Sequence, residues 1–524
     1  MKKIYLLSLV IIVAGMVALQ SFETKGDPKK AKKAKKIVKD FLTDLKRIEG
    51  GTFLMGKPWE SSNENFPNIY TTDSLWLATP LMQTVAVPSF YMGAKEITNK
   101  EYRQFVTWVR DSIAHAMLGH TVEYDDGSQG VDWDQELDWY PGGELDGMFY
   151  QGDEQFAGKR ELDVRQLVFD YQYYDYTSAA RDFDATTDYV NNSREKFNRA
   201  DYIKKDAIRV YPDTLSWTRD LPKSYSNSML QYYFSDPSYD DYPVVGISYN
   251  QAMAYCYWRS NEMKKQLTLA GYKGDFHFRL PTETEWEYAA IGAEEGSIED
   301  IANYPSYPWN GNTLKKEGIY QANLGPIIDN KGNWLKHYPE LKNELSQRDT
   351  EHYIFTAPTA SFPANANGLY DMAGNVAEWV LNRVMPPNHE TWSLKSNVSG
   401  RYLNYKKYKE PSWFAMDSIG YVQFVLAAWQ QEGFDTKKGS TTRTQRIDPT
   451  IKLGWHDLQL SLAEDEYNRP LNYIVKGGSW AHEPRYLASA SRMAVARNSN
   501  YSWMGFRVVM TTSMTSEQLK KWIK

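Results

Sequence analysis

Three times in this 524-residue chain a hydroxyl residue stands three positions ahead of Glu or Gln at the head of an apolar run. Thr98 precedes Glu101, before Tyr102, Phe105 and Val106. Ser248 precedes Gln251, before Ala252, Ala254, Tyr255 and Trp258. Thr282 precedes Glu285, before Trp286, Tyr288, Ala289 and Ala290. In such a capping box the hydroxyl accepts from a free backbone N–H of the first turn, and the third side chain reaches back to the cap. Three helix starts are therefore expected. The first and third runs space their apolar residues at i, i+3 and i+4, which predicts amphipathic helices. Between them lie strand signals. Gly50-Gly51 before Thr52-Phe53-Leu54-Met55 predicts a turn into a strand. Thr84 to Val87 followed by Phe90 to Met92 predicts another, with Pro88 at a break or edge.

The composition, 42% hydrophobic and 24% charged, is that of a globular chain. Its length suits one large domain with insertions, or two or three ordinary ones. Aromatic content reaches 15%, with 38 Tyr and 18 Trp, so rings are expected to fill much of the core. A net charge of −6 and the lack of zinc-finger spacing give no reason to expect nucleic acid. The start reads as an export signal over residues 1–20: Met1-Lys2-Lys3, then the apolar run Ile4 to Leu19, with cleavage expected near Ala18 to Ser21. No lipidation cysteine follows. Cys256 is the sole cysteine, so no intramolecular disulfide forms, and a buried structural thiol is expected. Seven lysines crowd Lys25 to Lys36, and residues 21–46 are read as a solvated Lys-rich linker. The alternative is a tether to an anionic membrane surface or a partner.

The folded domain is expected over 47–512, with a tail at 513–524. Polar, Tyr- and Asp-rich stretches predict insertions at about 110–240, 310–350 and 385–470. The segment GLYDMAGNVAEW at 368–379 gathers two carboxylates, an amide and glycines within a short loop. That is one way to wrap a hard cation, and it is also the composition of a turn with polar caps.

This segment resembles a signature of formylglycine-generating enzymes and their relatives, and further motifs follow in that family's order. They are GGTFLMG at 50–56, FYMGAKEITNKEYRQF at 90–105, PVVGISYNQAMAYCYW at 243–258, FRLPTETEWEYAA at 278–290, YPWNG at 307–311, KGGSW at 476–480 and MGFRVV at 504–509. The resemblance implies a compact α+β domain related to C-type-lectin-like folds, with little regular secondary structure. It also implies structural calcium, held by the Asp371 and Glu378 side chains and the Gly374 and Val376 carbonyls. A second calcium site would fall on Asn323, Leu324, Glu351 and Tyr353.

The oxidases of this family bind copper through two cysteines shortly after the GGS motif. Here those positions are His482 and Leu487, so neither copper nor formylglycine-generating activity is expected. The candidate cleft residues are Ser479, His482, Arg485 and Arg492, and Arg492 and Arg507 are equally read as partners of buried carboxylates. His482 beside Glu483 is read as a surface loop rather than an acid–base pair. Glu283, Glu285 and Glu287 are expected to serve capping and the helix dipole. His115 and His120, five apart, fall off one helical face and are expected to stay separate.

EITNKEYRQFVTWVRDSI at 96–113, RELDVRQLVFDYQYYDY at 160–176, RVYPDTLSW at 209–217 and YDDYPVVG at 239–246 resemble gliding-motility and type IX secretion proteins of the GldK/PorK type. That resemblance implies a non-catalytic structural subunit of a periplasmic ring at the outer-membrane periphery. Its partners would be a GldN/PorN-like protein, other type IX secretion components and further copies of this chain. The rival readings are an enzyme of altered chemistry in the same cleft, and a cell-wall or glycan-binding module.

Overall fold

The computed structural model describes residues 28–56, 83–123, 129–175, 198–220, 232–291, 305–325, 355–383 and 472–512, apart from 273, 275, 317–318 and 483 within them. It also describes a few short pieces between and after these, including 76–77 and 353. The expected signal at 1–20 and the insertion at 385–470 lie outside the described residues.

The first element corrects the expected linker. Pro28–Thr43 is a sixteen-residue helix, α1. Its Lys- and Ala-rich sequence favours a helix, and Pro28 stands at the start, where a missing N–H costs nothing. Ala34, Val38, Phe41 and Leu42 recur on one face and are buried. Phe41 meets Trp258 edge-on at 6.1 Å, and its carbonyl accepts from Arg259 Nη2 at 2.9 Å. Burying Val38, Phe41 and Leu42 stabilises the docked helix by about 1.5–3 kcal/mol per side chain. Lys29, Lys30, Lys32, Lys33, Lys35 and Lys36, which suggested a solvated segment, are exposed along the rest of the helix.

Two of the expected helices start at complete capping boxes, as Asn99–Met117, α2, and Tyr249–Leu269, α3. The third, Glu283–Ile291 or α4, has the same pair of bonds: Glu285 N donates to Thr282 Oγ1 at 3.1 Å, and Thr282 N to Glu285 Oε2 at 2.8 Å. The expectation of an amphipathic α4 fails. Every residue in it but Thr284 is buried, because the helix lies in the centre of the fold and packs on strands on several sides.

A four-stranded antiparallel sheet orders Leu45–Ile48, Phe90–Gly93, Val509–Thr512 and Phe276–Arg279. A five-stranded sheet orders Met504–Gly505, Ala377–Arg383, Asn472–Lys476, Arg492–Ala496 and Trp76–Leu77. Its first pair is parallel and the other pairs are antiparallel. Gly51–Met55 pairs with Gln83–Val87, so the break expected at Pro88 separates two strands that join different sheets. One apolar cluster gathers α1, α2 and α3 around Tyr102, Phe105, Tyr255 and Phe506. A smaller one packs Trp286, Tyr288 and Ala289 of α4 against Ile48, Met92, Ile474 and Val509.

The first expected insertion begins later than 110, since α2 runs to Met117. Beyond it lie short turns and a seven-pair antiparallel ladder, Val168–Tyr174 with Ile203–Arg209, that packs on α3. Among the described residues no helix is long and apolar enough to cross a membrane.

Candidate functional site

The loop at 368–379 is tied to four other segments of the chain through Asn375, a fully buried residue held at φ 52°. Its amide donates to Glu96 Oε1 at 3.1 Å, and its Oδ1 accepts from Ala357 N at 2.8 Å. Its backbone N–H donates to Asn323 O at 2.8 Å, and its carbonyl accepts from Trp480 N at 2.9 Å. Gly374 beside it has φ +77°, and a Cβ there would lie 2.1 Å from Asn323 O, so only glycine fits.

Three buried carboxyls stand around this hub. Glu378 is forked by Arg507, with Nε to Oε2 and Nη2 to Oε1 both at 2.6 Å, and also accepts from Trp286 Nε1 at 2.8 Å. Arg507 also donates to Gly93 O and Tyr370 O, so the pair is both charge-balanced and hydrogen-bonded. Asp371, at φ 54°, accepts from Ala360 N at 2.6 Å, and burial holds its carboxyl up at about 6. Glu96 is pushed well above the ordinary carboxylate range by burial and then by the charge of Asp371.

This geometry is a poor fit to the expected calcium ligands. A cation on Glu378 would sit against the Arg507 guanidinium, which already takes both oxygens. Of the expected second site, Asn323 gives its amide to Phe355 O at 2.7 Å and Leu324 is core. Tyr353 lies by Phe362 at 6.5 Å, and Glu351 is outside the described residues.

A second buried network corrects the reading of the α4 glutamates as caps alone. Lys476, 1% exposed, donates to Glu287 Oε2 at 2.9 Å, while Glu287 Oε1 accepts from Gly56 N at 2.6 Å. Glu283 meets Arg492 Nε at 2.6 Å, and Arg279 forks Glu285 at 2.6 Å through both nitrogens. Arg492 thus has the buried carboxylate partner that was its second expected role.

The third arrangement is the loop at the family's cysteine positions. Ser479 Oγ and His482 Nδ1 lie 2.6 Å apart, and Ala481 N donates to the same Oγ at 3.1 Å. Ser479 is fully buried. The His482 ring packs edge-on against Trp503 at 4.6 Å and tilts against Tyr486 at 5.0 Å. Leu487 is fully buried core. The loop is pressed against Gly325, where a Cβ would come within 2.6 Å of Ala481 C. The side chain of Arg485, and Glu483 altogether, lie outside what is described. Cys256 is buried in α3, and burial pushes its thiol up to about 12, away from any thiolate chemistry.

His115 and His120, expected apart, meet with their Nδ1 atoms 3.1 Å from each other. Helix periodicity did not apply, because α2 ends at Met117 and the chain reverses at Gly119, φ +67°. Burial and the neighbouring ring lower the His115 value. Sequence reading also missed the roles of Glu96 and Asn375. The signal was present, since both lie inside quoted motifs and a buried amide in a glycine-rich loop organises the backbone around it.

Fold and loops together define a compact α+β domain whose motif residues brace a buried polar centre. The family model described as Sulfatase-modifying factor enzyme 1-like domain, FGE-sulfatase, matches residues 30–512, and the chain belongs to this family. It is 30% identical to the formylglycine-generating enzyme of Mus musculus over 178 residues, 32% of this chain and 37% of that one. It is 31% identical to the inactive C-alpha-formylglycine-generating enzyme 2 of Bos taurus over 156 residues, 30% of this chain and 38% of that one. It is 33% identical to the chaperone protein LppX of Paenibacillus barcinonensis over 154 residues, 27% of this chain and 46% of that one. The chain thus spans less than half the length of each of these relatives.

Proposed function

We propose that this protein is a non-catalytic structural subunit, built on the FGE-sulfatase domain, of a GldK/PorK-type periplasmic ring serving type IX secretion and gliding. The observation that carries the assembly reading is where apolar side chains are left in solvent. Among the described residues Tyr140, Phe156, Leu215 and Tyr232 stand 79%, 74%, 69% and 52% exposed, all within the segment between α2 and α3. Exposed aromatic and aliphatic side chains on one inserted segment suit contacts with neighbouring subunits. Ring closure needs such a heterologous contact repeated around an axis. The partners in this reading are further copies of the chain, a GldN/PorN-like protein and other secretion components, at the periplasmic side of the outer membrane.

The loop at the cysteine positions supports the non-catalytic half. Leu487 fills the core, and His482 is packed between Trp503 and Tyr486, where the oxidases need two soft thiolates. One relative is named an inactive enzyme and another a chaperone, which suits a role without the chemistry. A mild-detergent pull-down of the tagged protein from envelopes tests the proposal. A very large assembly containing the GldN/PorN-like partner is expected, and its loss on Tyr140→Ser with Phe156→Ser. A lone monomer would sink the proposal.

A second reading, an enzyme of altered chemistry, draws on the 2.6 Å contact between Ser479 and His482, a nucleophile and a base within reach. Full burial of Ser479 weighs against it. An activity abolished by His482→Ala with the fold intact would favour it.

A further inference from the structure

The outer face of α1 has no part in the core, the buried networks or the loop at the cysteine positions. Lys29, Lys30, Lys32, Lys33, Lys35, Lys36 and Lys39 are all exposed, with Asp40 the one acidic residue of the helix. The chain as a whole carries a net charge of −6, so this concentration of positive charge runs against its overall sign. At 100° per residue, Lys29, Lys32, Lys33 and Lys36 stand opposite the buried Ala34, Val38 and Phe41. Lys30 and Lys35 flank that arc, Lys30 pairing with Asp134 at 2.7 Å and Lys35 lying 5.6 Å from the centre of the Tyr272 ring.

We infer that this face docks the protein on an anionic phospholipid surface. The apolar face of α1 is committed to the core, so the helix has nothing to insert into a bilayer. The contact is electrostatic and peripheral, unlike that of an interfacial amphipathic helix. One observation favours a lipid surface over an acidic protein. Tyr272, just beyond the end of α3 and 44% exposed, lies beside Lys35, and Leu269 at the end of α3 is equally exposed, so an aromatic and apolar edge accompanies the cationic face, which is the composition of a membrane–water interface.

Each lysine brought close to an anionic surface strengthens binding about fivefold. The test is co-sedimentation of the purified mature chain, freed of the signal, with vesicles of phosphatidylcholine alone, or of phosphatidylcholine doped with phosphatidylglycerol. Retention on the neutral vesicles sets the baseline. Binding above that baseline is expected only on the anionic vesicles, and it should vanish between about 0.1 M and about 1 M salt, as the screening length falls from about 10 Å to about 3 Å. The triple variant Lys32→Gln, Lys33→Gln, Lys36→Gln should weaken it at least ~10-fold with the melting temperature unchanged. The matching Lys→Arg triple should retain it and so guards against a folding artefact. Equal capture by neutral and anionic vesicles, or full capture of the Gln triple, would overturn the inference. So would salt-sensitive binding to polyglutamate without any to anionic vesicles, which would make an acidic protein the partner. The inference is independent of the ring reading, because vesicle capture is read on the purified chain and assembly on the envelope pull-down.

Discussion

Arg507→Met removes a guanidinium that makes three hydrogen bonds to two partners at one end and bonds a third at the other: two to Glu378, one to Gly93 O and one to Tyr370 O. Methionine is of similar reach and apolar, so the loss is of charge and donors rather than of volume. What remains is the Glu378 carboxylate, fully buried, with Trp286 Nε1 as its donor and with Glu96 and Asp371 nearby. Stranding one member of a buried ion pair costs about 3–5 kcal/mol. Against a typical total of about 5–15 kcal/mol, that is a large part of the stability of the domain. At about 2.1 cal/mol/K of unfolding entropy per residue, a domain spanning residues 30–512 shifts by about 1 °C per kcal/mol, so the melting temperature should fall by roughly 3–5 °C. Urea unfolding should show the same loss as a lower midpoint with unchanged slope. The second arm is Glu378→Gln in the Arg507→Met background, which removes the stranded charge and should recover about half the loss, whereas Glu378→Gln alone destabilises. A cost for Arg507→Met below about 1 kcal/mol, or losses that simply add in the double variant, would refute the reading of Glu378 and Arg507 as one closed pair.

Asp371 sits at about 6 in the folded chain against an ordinary 3.8, so the folded state holds its proton more readily. Its contribution is fully present below the ordinary value and is lost as pH rises through about 6. The stability of Asp371→Asn relative to the parent should therefore rise between about pH 4 and about pH 7, by up to about 3 kcal/mol, and parallel pH profiles would contradict this. Gly374→Ala forces a Cβ to within 2.1 Å of Asn323 O at φ +77° and should leave little folded protein, read as loss of soluble monomer or of the cooperative melt. Cys256, buried and held at about 12, should react with an aromatic disulfide reagent at pH 8 only after unfolding in guanidinium, and prompt reaction of the native chain would place it at the surface. Because Arg507 occupies Glu378, exhaustive chelation should move the melting temperature by no more than about 1 °C, and a loss of several degrees restored by calcium would show that the carboxyls regroup around a cation.

Much of the fold was legible because its signals are short-range. The capping boxes at Thr98, Ser248 and Thr282 formed as read, since each needs only residues three positions apart. The strand after Gly50-Gly51 and the break at Pro88 are equally local. The fate of the thiol followed from its place on an apolar helix. Even the family could be read, because its motifs are contiguous runs.

What the sequence left open was decided by contacts between distant residues. The lysines from Lys29 to Lys36 read as a solvated linker until the second face of their helix found Trp258 and Arg259. Asp371 and Glu378, seven apart in one loop, look like a ligand pair, yet Glu378 turns to Arg507, 129 residues on. The α4 glutamates look like caps, yet Glu287 meets Lys476 across 189 residues. His115 and His120 touch only because the helix stops between them. A cap or a turn is settled by the torsions of a few neighbouring residues, whereas a buried charge costs free energy until some partner neutralises it, and which partner stands within 3 Å is known only once the chain has closed around both.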